Sequence, residues 1–120
     1  MKQPGGVKRH ALESSLDVRA TPFGQYDAMF IAAVQKHWFD LLDERDYVHG
    51  RSGKVVLRFN LYYDGRVTSM SVADNTVGEL LSLICQRAIL DPAPFAPWPS
   101  DLRRLAKSNF REVQFTFYYN

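Results

Sequence analysis

The sequence predicts a single α+β domain with a two-layer architecture, in which helices pack on one face of a three-stranded antiparallel sheet. Three patterns predict it: a helical period over residues 26–44, a hairpin over residues 54–72 and an alternating stretch over residues 111–119. The chain has 120 residues, 46% of them hydrophobic and 23% charged, which is typical of one globular domain. A chain of this length can bury a core without a metal or a disulfide, so we expect no cofactor.

Residues 1–25 are predicted to be a linker or flexible arm, and residues 26–120 to be the domain. The arm contains a Pro-Gly-Gly run and shows no sustained period. It carries four basic and two acidic side chains, a difference of +2 that equals the formal net charge of the whole chain. Because the rest of the chain is neutral and has no basic stripe, nucleic acid is disfavoured as a partner.

The first predicted helix runs from Tyr26 to about Glu44. Its apolar side chains recur every three or four residues, which places them on one helical face. We expect this face to cover a sheet, and its members are Tyr26, Phe30, Val34, Trp38 and Leu41 or Leu42.

The hairpin combines an alternating strand over residues 54–62 with Asp64-Gly65, a dipeptide suited to a two-residue type I′ turn. With Tyr63 opposite Arg66, the inward side chains of both strands face each other. The predicted inward pairs are Leu61 with Thr68, Phe59 with Met70, and Leu57 with Val72.

A second helix is predicted to begin at a capping box, Thr76-x-x-Glu79, and to end at Asp91-Pro92. Its buried stripe is expected to comprise Val77, Leu80, Leu81, Ile84 and Ala88. Cys85 lies in the same apolar stretch and is interpreted as a small buried hydrophobe without a function. As the single cysteine of the chain, it cannot form an intrachain disulfide.

A proline-rich stretch over residues 92–99 predicts a stiff extended arm that carries Phe95 and Trp98. Ser100 is expected to cap a short helix with Leu102 and Leu105 on it. The final strand then alternates, and its predicted core side is Val113, Phe115, Phe117 and Tyr119.

A right-handed crossover places the last predicted strand beside the first one, which gives the strand order 2-1-3 and makes the last strand an edge. One face of the sheet then carries the helices. The other face is expected to look toward solvent, with Arg58, Asn60, Ser69, Ser71, Gln114 and Thr116 on it.

Several of these pieces, in the same order over residues 26–120, resemble the C-terminal domain of TonB/TolA-type energy transducers. The series is a leading helix with Tyr26 and Trp38, the strand Gly53–Phe59, the hairpin Asp64–Val67, an amphipathic helix, the arm Pro94–Pro99 and the strand Val113–Phe117. The leading helix and the short helix after the proline-rich arm look more like the TolA branch than the compact TonB form. The disulfide pair of some TolA domains is impossible with Cys85 alone, so the branch stays open.

The resemblance implies a periplasmic protein-binding domain. Such a domain passes force from an inner-membrane proton-channel complex to an outer-membrane receptor or a periplasmic protein. Family members usually carry a membrane anchor and a Pro/Lys-rich spacer upstream. This sequence has neither, so we expect an isolated C-terminal domain whose anchor lies on other sequence.

An edge strand offers unpaired N–H and C=O groups to which an extended partner segment can be added as a further strand. We place this edge on the last strand, with Tyr118 as the best side-chain contact. Pairing of the same edge with a second copy of the chain, which would give a homodimer, stays an open alternative. The predicted partner-binding residues are Glu112, Val113, Gln114, Phe115, Thr116, Phe117 and Tyr118.

Two alternative functions stay open. Aromatic strands are typical of sheets that bind single-stranded nucleic acid, although the alternation places Phe59, Phe115 and Phe117 under the helices. An adaptor domain of the same shape, unrelated to energy transduction, is the other alternative.

Catalysis is not expected, because no nucleophile, phosphate or metal motif is present. The three histidines are expected to bind nothing, and the acidic residues near the end of the first helix are interpreted as a solvated face. These residues are His10, His37 and His49, and Asp40, Asp43, Glu44 and Asp46.

Overall fold

A computed structural model describes residues 10–17, 21–43 and 52–119. It confirms an α+β fold in which helices accompany an antiparallel sheet. Glu44, Asp46 and His49 lie outside the described residues. The elements in chain order are β1 (Ala11–Ser14), α1 (Gly24–Asp43), β2 (Gly53–Tyr62), β3 (Val67–Asn75), α2 (Glu79–Leu90), α3 (Ser100–Leu105) and β4 (Phe110–Tyr119).

The sheet has four strands in the order β1-β4-β2-β3, and all pairs are antiparallel. The predicted sheet of three strands is therefore wrong in strand number: β3, β2 and β4 lie side by side in the predicted order 2-1-3, and β1 adds a fourth strand beside β4. The added strand, β1, comes from the segment that we predicted to be a linker. A strand of four residues is too short to show a period, and its pairing partner is far away in the sequence, so the pattern of the sequence did not indicate it.

The centre of the sheet is the β2–β4 pair, which keeps one register over ten consecutive residue pairs from Gly53–Tyr119 to Tyr62–Phe110. The predicted core faces of both strands are confirmed as buried, and the apolar face of α1 covers them. The ring centre of Trp38 lies 4.9 Å from that of Phe117, edge to face. The buried strand residues on this face are Val55, Leu57, Phe59, Leu61, Val113, Phe115, Phe117 and Tyr119, and Val56 is buried on the opposite face.

The hairpin turn has three residues, not the predicted two. The N–H of Tyr62 donates to the carbonyl of Arg66, and Gly65 adopts a φ of +91°. The side chain of Asp64 accepts a hydrogen bond from the Arg66 N–H, which stabilises this longer turn. As a result Leu61 pairs with Val67, so the predicted pairing of Leu61 with Thr68 is wrong.

The hairpin register then shifts back, and Leu57 pairs with Val72 as predicted. The shift lies between Arg58 and Asn60, where Ser69 has a φ of 57°. Phe59 has no direct partner in β3 there, so its predicted pairing with Met70 is also wrong. One extra residue in β3 at this point has the form of a β-bulge.

Helix α2 begins after Gly78, so the predicted capping box does not form. The Thr76 hydroxyl instead accepts a hydrogen bond from the Lys54 N–H, and the Asn75 side chain accepts from the N–H groups of residues 77 and 78. Leu80 is half exposed, contrary to its predicted place in the buried stripe, while Cys85 is confirmed as buried. The buried apolar side chains of α2 recur every three or four residues and leave Leu80 at the side of the helix; they are Leu81, Ile84, Cys85, Ala88 and Ile89.

The proline-rich arm is fixed to the hairpin turn. The Phe95 N–H donates to the Gly65 carbonyl at 2.8 Å, and the Trp98 N–H donates to the Tyr63 carbonyl at 2.9 Å. A Cβ at position 65 would overlap the carbonyl oxygen of Phe95, so this turn requires glycine. Helix α3 then starts after Pro99 and not with a Ser100 cap.

Candidate functional site

The predicted partner-binding residues lie on β4, which is not an edge strand over residues 114–118. Phe115–Tyr118 pair with Ser14–Ala11 of β1, so our placement of this segment at an open edge is wrong. At Gln114 the carbonyl accepts from the Ser15 N–H at 2.9 Å, and the Gln114 N–H donates to the Ser15 hydroxyl at 2.9 Å. From Phe110 to Val113, no strand of the described chain lies on the side of β4 opposite β2.

Strand β1 is the shortest strand of the sheet, although the ring of His10 directly before it lies 5.3 Å from that of the buried Tyr119. It makes four residue pairs with β4, against ten in the β2–β4 pair. Leu12 and Leu16 are partly buried against the core, while Ala11 and Glu13 are exposed. The Tyr118 hydroxyl donates to a carboxylate oxygen of Glu13 at 3.1 Å, and this hydrogen bond raises the pKa of Tyr118. A short strand with half of its side chains in water has a low local stability.

The side chains of the predicted site divide between the two faces of β4. Val113, Phe115 and Phe117 are buried under the helices and are therefore unable to contact a partner. Glu112, Gln114, Thr116 and Tyr118 lie on the open face. Among the predicted residues, only these four side chains and the outer main-chain groups of residues 112 and 113 are available for recognition while β1 is in place.

A polar depression of about 490 Å³ lies on the open face at the point where β1 ends. Arg58 and Gln114 meet there, with the guanidinium Nε donating to the amide oxygen at 2.8 Å. The depression lies next to the uncovered part of β4. Its lining is Ser15, Arg58, Phe59, Asn60, Ser69, Glu112, Val113 and Gln114.

The other edge of the sheet is β3, and its ladder is irregular. Its register with β2 shifts twice, between Val56 and Leu57 and between Arg58 and Asn60. The backbone of Ser69 is left-handed, as noted above. Bulges twist an edge strand and interrupt its hydrogen-bonding row, which is a common way to prevent pairing with another chain. Strand β4 has no such break and is therefore the more regular template.

An ion pair that the sequence did not reveal fixes the uncovered end of β4 to α1. Arg111 donates two hydrogen bonds to the fully buried Asp27 carboxylate, at 2.8 and 2.7 Å, and its guanidinium lies 4.0 Å from the ring centre of Phe23. Arg111 has the same strand parity as Val113, so an arginine among core-facing positions was the available signal. Asp27 alone reads as an acid in the first helical turn, which is common at helix starts.

Cys85 belongs to a buried cluster around the Tyr119 hydroxyl. Its sulfur lies 3.2 Å from that hydroxyl, which also accepts from the Trp38 indole N–H at 3.1 Å. Burial raises the pKa of Cys85 to about 12, so the thiolate that reactive cysteines require is suppressed. Among the described residues no three potential metal ligands lie together, and His37 hydrogen-bonds Asp91 at 2.9 Å on the surface.

No protein-family model matches the chain, and no curated protein matches it. One solved structure is similar, the NMR solution structure of Helicobacter pylori TonB-CTD (residues 179–285). The TM-score is 0.50 at 20% sequence identity, and the match covers 77% of this chain and 80% of that chain. The chain therefore has a fold similar to that of a TonB C-terminal domain. No helix within the described ranges is both long and apolar enough to cross a membrane.

Proposed function

We propose that this chain is the protein-binding domain of a TonB/TolA-type energy transducer, and that it holds a partner as a strand added to the outer edge of β4. One observation carries the proposal: this edge already accepts an extended segment, β1, and Ser15 directly after it contacts Gln114 across 99 residues of sequence. The pairing of β1 is strand addition within one chain. The fold similarity supports the transducer class.

The partner replaces β1 along the predicted residues Glu112–Tyr118. It pairs first beside Phe110–Val113, where the described chain has no strand on that side of β4, and then displaces the four pairs of β1. Main-chain hydrogen bonds supply the affinity, so little side-chain matching is needed for a first contact. A load on the partner is then shared by several hydrogen bonds of a strand that is itself paired over its full length with β2.

The setting of the proposed function follows from the transducer class. The domain works in the periplasm and binds a segment of an outer-membrane receptor or of a periplasmic protein. An inner-membrane proton-channel complex drives it through an anchor on the parent protein. The domain acts by binding and needs no cofactor or catalytic group.

Nucleic-acid binding gains little support from the open face. Phe59, Phe115 and Phe117 are buried, which leaves Tyr62, Phe110 and Tyr118 as aromatic residues of the central strands on that face, and the rings of Tyr62 and Phe110 lie against each other with centres 5.3 Å apart. The Tyr62 ring is covered by the Arg66 guanidinium, 4.7 Å from the ring centre. A sheet that binds bases needs several free rings in a row.

An amide NMR titration of the full chain with extended peptides from outer-membrane receptors tests the proposal. We expect shifts along Glu112–Tyr118, together with loss of the paired state of Ala11–Ser14. A single-stranded oligonucleotide is the control. Peptide shifts confined to Val67–Asn75 would assign binding to the other edge, and oligonucleotide shifts at Arg58, Tyr62 and Tyr118 would favour the nucleic-acid alternative.

A further inference from the structure

We infer that β1 is a built-in stand-in for the partner segment, and that it shows which residues the partner must present. The partner is an extended segment antiparallel to β4, with an apolar residue facing the core followed directly by an acidic residue on the open face. This inference rests on the proposed function. It adds two points: the side chains that the partner must present, and the competition of β1 with the partner for β4.

The apolar position is that of Leu12. This residue pairs with Phe117, which is fully buried, and its side chain packs against the core at the rim of the sheet. Leu16 packs against the core in the same way four residues later. Departure of β1 exposes this apolar rim, so a partner that covers it again with an apolar side chain recovers the lost burial.

The acidic position is that of Glu13. It lies opposite Thr116 on the open face, and its carboxylate accepts the Tyr118 hydroxyl hydrogen bond at 3.1 Å. On the other side of β4, Val56 of β2 pairs with Thr116, so Glu13, Thr116 and Val56 form one row across the three strands. The open-face residues of β2 on either side of that row are Lys54 and Arg58, paired with Tyr118 and Gln114. A carboxylate therefore meets the Tyr118 hydroxyl as a donor, while Lys54 and Arg58 lie two strands away on the same face and favour an acidic over a basic residue there only through the weaker long-range field.

Competition follows from the covalent link between β1 and β4. A tethered segment acts at an effective concentration of order mM, and a partner binds only the fraction of molecules in which β1 is unpaired. The apparent affinity for any partner is reduced by that fraction. Substitutions that weaken β1 without touching β4 must therefore tighten partner binding.

The test uses a fluorescent peptide with the sequence of residues 10–17 and three full-length chains. These are the unchanged protein, Leu12→Asp, which places a charge against the core rim, and Ala11→Asp, which adds the same charge at the adjacent exposed position. We expect the peptide to bind Leu12→Asp at least tenfold more tightly than the other two chains. Leu12→Ser, which removes the apolar contact without adding charge, is expected to act in the same direction.

A second peptide with Glu13→Lys measures the acidic position on the Leu12→Asp chain. We expect at least tenfold weaker binding than with the native peptide, and amide shifts of the native peptide complex at Gln114, Thr116 and Tyr118. Equal peptide affinity for all three chains would show that β1 is no competitor. Equal affinity of the two peptides would show that the acid plays no part in recognition.

Receptor-derived peptides in the same assay separate this inference from the proposed function. If they bind β4 and the peptide of residues 10–17 does not, the proposed function stands and the stand-in role of β1 is refuted. If the peptide of residues 10–17 binds the Leu12→Asp chain at β4 and receptor peptides bind neither chain there, the proposed function fails. The stand-in role fails with it in that case.

Discussion

Removal of the buried carboxylate of Asp27 is expected to destabilise the domain strongly. Asp27→Ala leaves the Arg111 guanidinium without its two charge-assisted hydrogen bonds of 2.7 and 2.8 Å. Breaking a buried ion pair in this way costs about 3–5 kcal/mol, because an uncompensated charge stays in the interior. The Arg111 side chain keeps 20% of its surface exposed, so water relieves part of the penalty. We therefore expect the lower end of the range, about 3 kcal/mol.

Thermal unfolding followed by far-ultraviolet circular dichroism measures this loss. At about 4 °C per kcal/mol for a domain of this size, Asp27→Ala should lower the Tm by roughly 12 °C. Asp40→Ala on the same helix is the matched control, because Asp40 pairs with Lys36 at 2.9 Å on an exposed face. An exposed pair of this kind contributes less than about 1 kcal/mol.

A double variant tests the physical reason for the loss. Arg111→Met removes the stranded charge and keeps a side chain of similar length over Phe23. If the cost arises from an unpaired buried charge, Asp27→Ala with Arg111→Met is more stable than Asp27→Ala alone. A single variant as stable as Asp40→Ala, or a double variant less stable than the single one, would refute the reasoning.

Three other stability predictions concern the turn, the core and the alkaline range. Gly65→Ala should cost at least about 2 kcal/mol in urea unfolding, because φ is +91° and the new Cβ overlaps the proline-rich arm. Tyr119→Phe should cost about 1–3 kcal/mol by leaving the Trp38 N–H unpaired, whereas Tyr118→Phe on the open face should change the free energy of unfolding little. Burial raises the pKa of Cys85 from 9.0 to about 12, so the unfolded state releases this proton first. Stability should thus fall between about pH 9 and pH 12, and Cys85→Ala should reduce the slope; an unchanged slope would contradict the assignment.

Patterns that repeat within one element predicted the core. The helical period of Phe30, Val34 and Trp38 and the alternation of Phe115 and Phe117 each involve many residues that obey one geometry, so one exception does not hide them. The structure buries all five side chains, as predicted. The face of the sheet that carries the helices could therefore be predicted from the sequence.

Features that depend on single residues or distant pairs were not predicted. The bulge at Ser69 depends on one left-handed residue that is not glycine, which no sequence rule favours. The longer turn depends on a side-chain hydrogen bond of Asp64, while the dipeptide Asp64-Gly65 suits two turn types equally well. Both errors changed the hairpin register and left the core faces intact.

The predicted partner-binding segment lies on a strand whose surroundings differ from the prediction. Strand parity placed Glu112, Gln114 and Tyr118 on the open face, as the structure has them. The error came from β1, whose four residues pair with β4 across about 100 positions and carry no turn signal. Long-range pairing of short segments depends on which edge is left vacant, and that is decided only when the rest of the sheet is in place.

The two flanks of the sheet are protected in different ways, and the difference bears on function. On β3 the protection is part of the strand itself, because two register shifts and the left-handed Ser69 disturb its ladder in every molecule. On β4 the strand is regular, and the protection is a separate segment with four pairs and partly exposed leucines. A sheet that only had to avoid aggregation would gain more from a permanent distortion, since a cover that can leave exposes a perfect template. A removable cover on a regular strand would suit an edge that must be both protected and available, which is why we propose partner binding at β4 and not at β3.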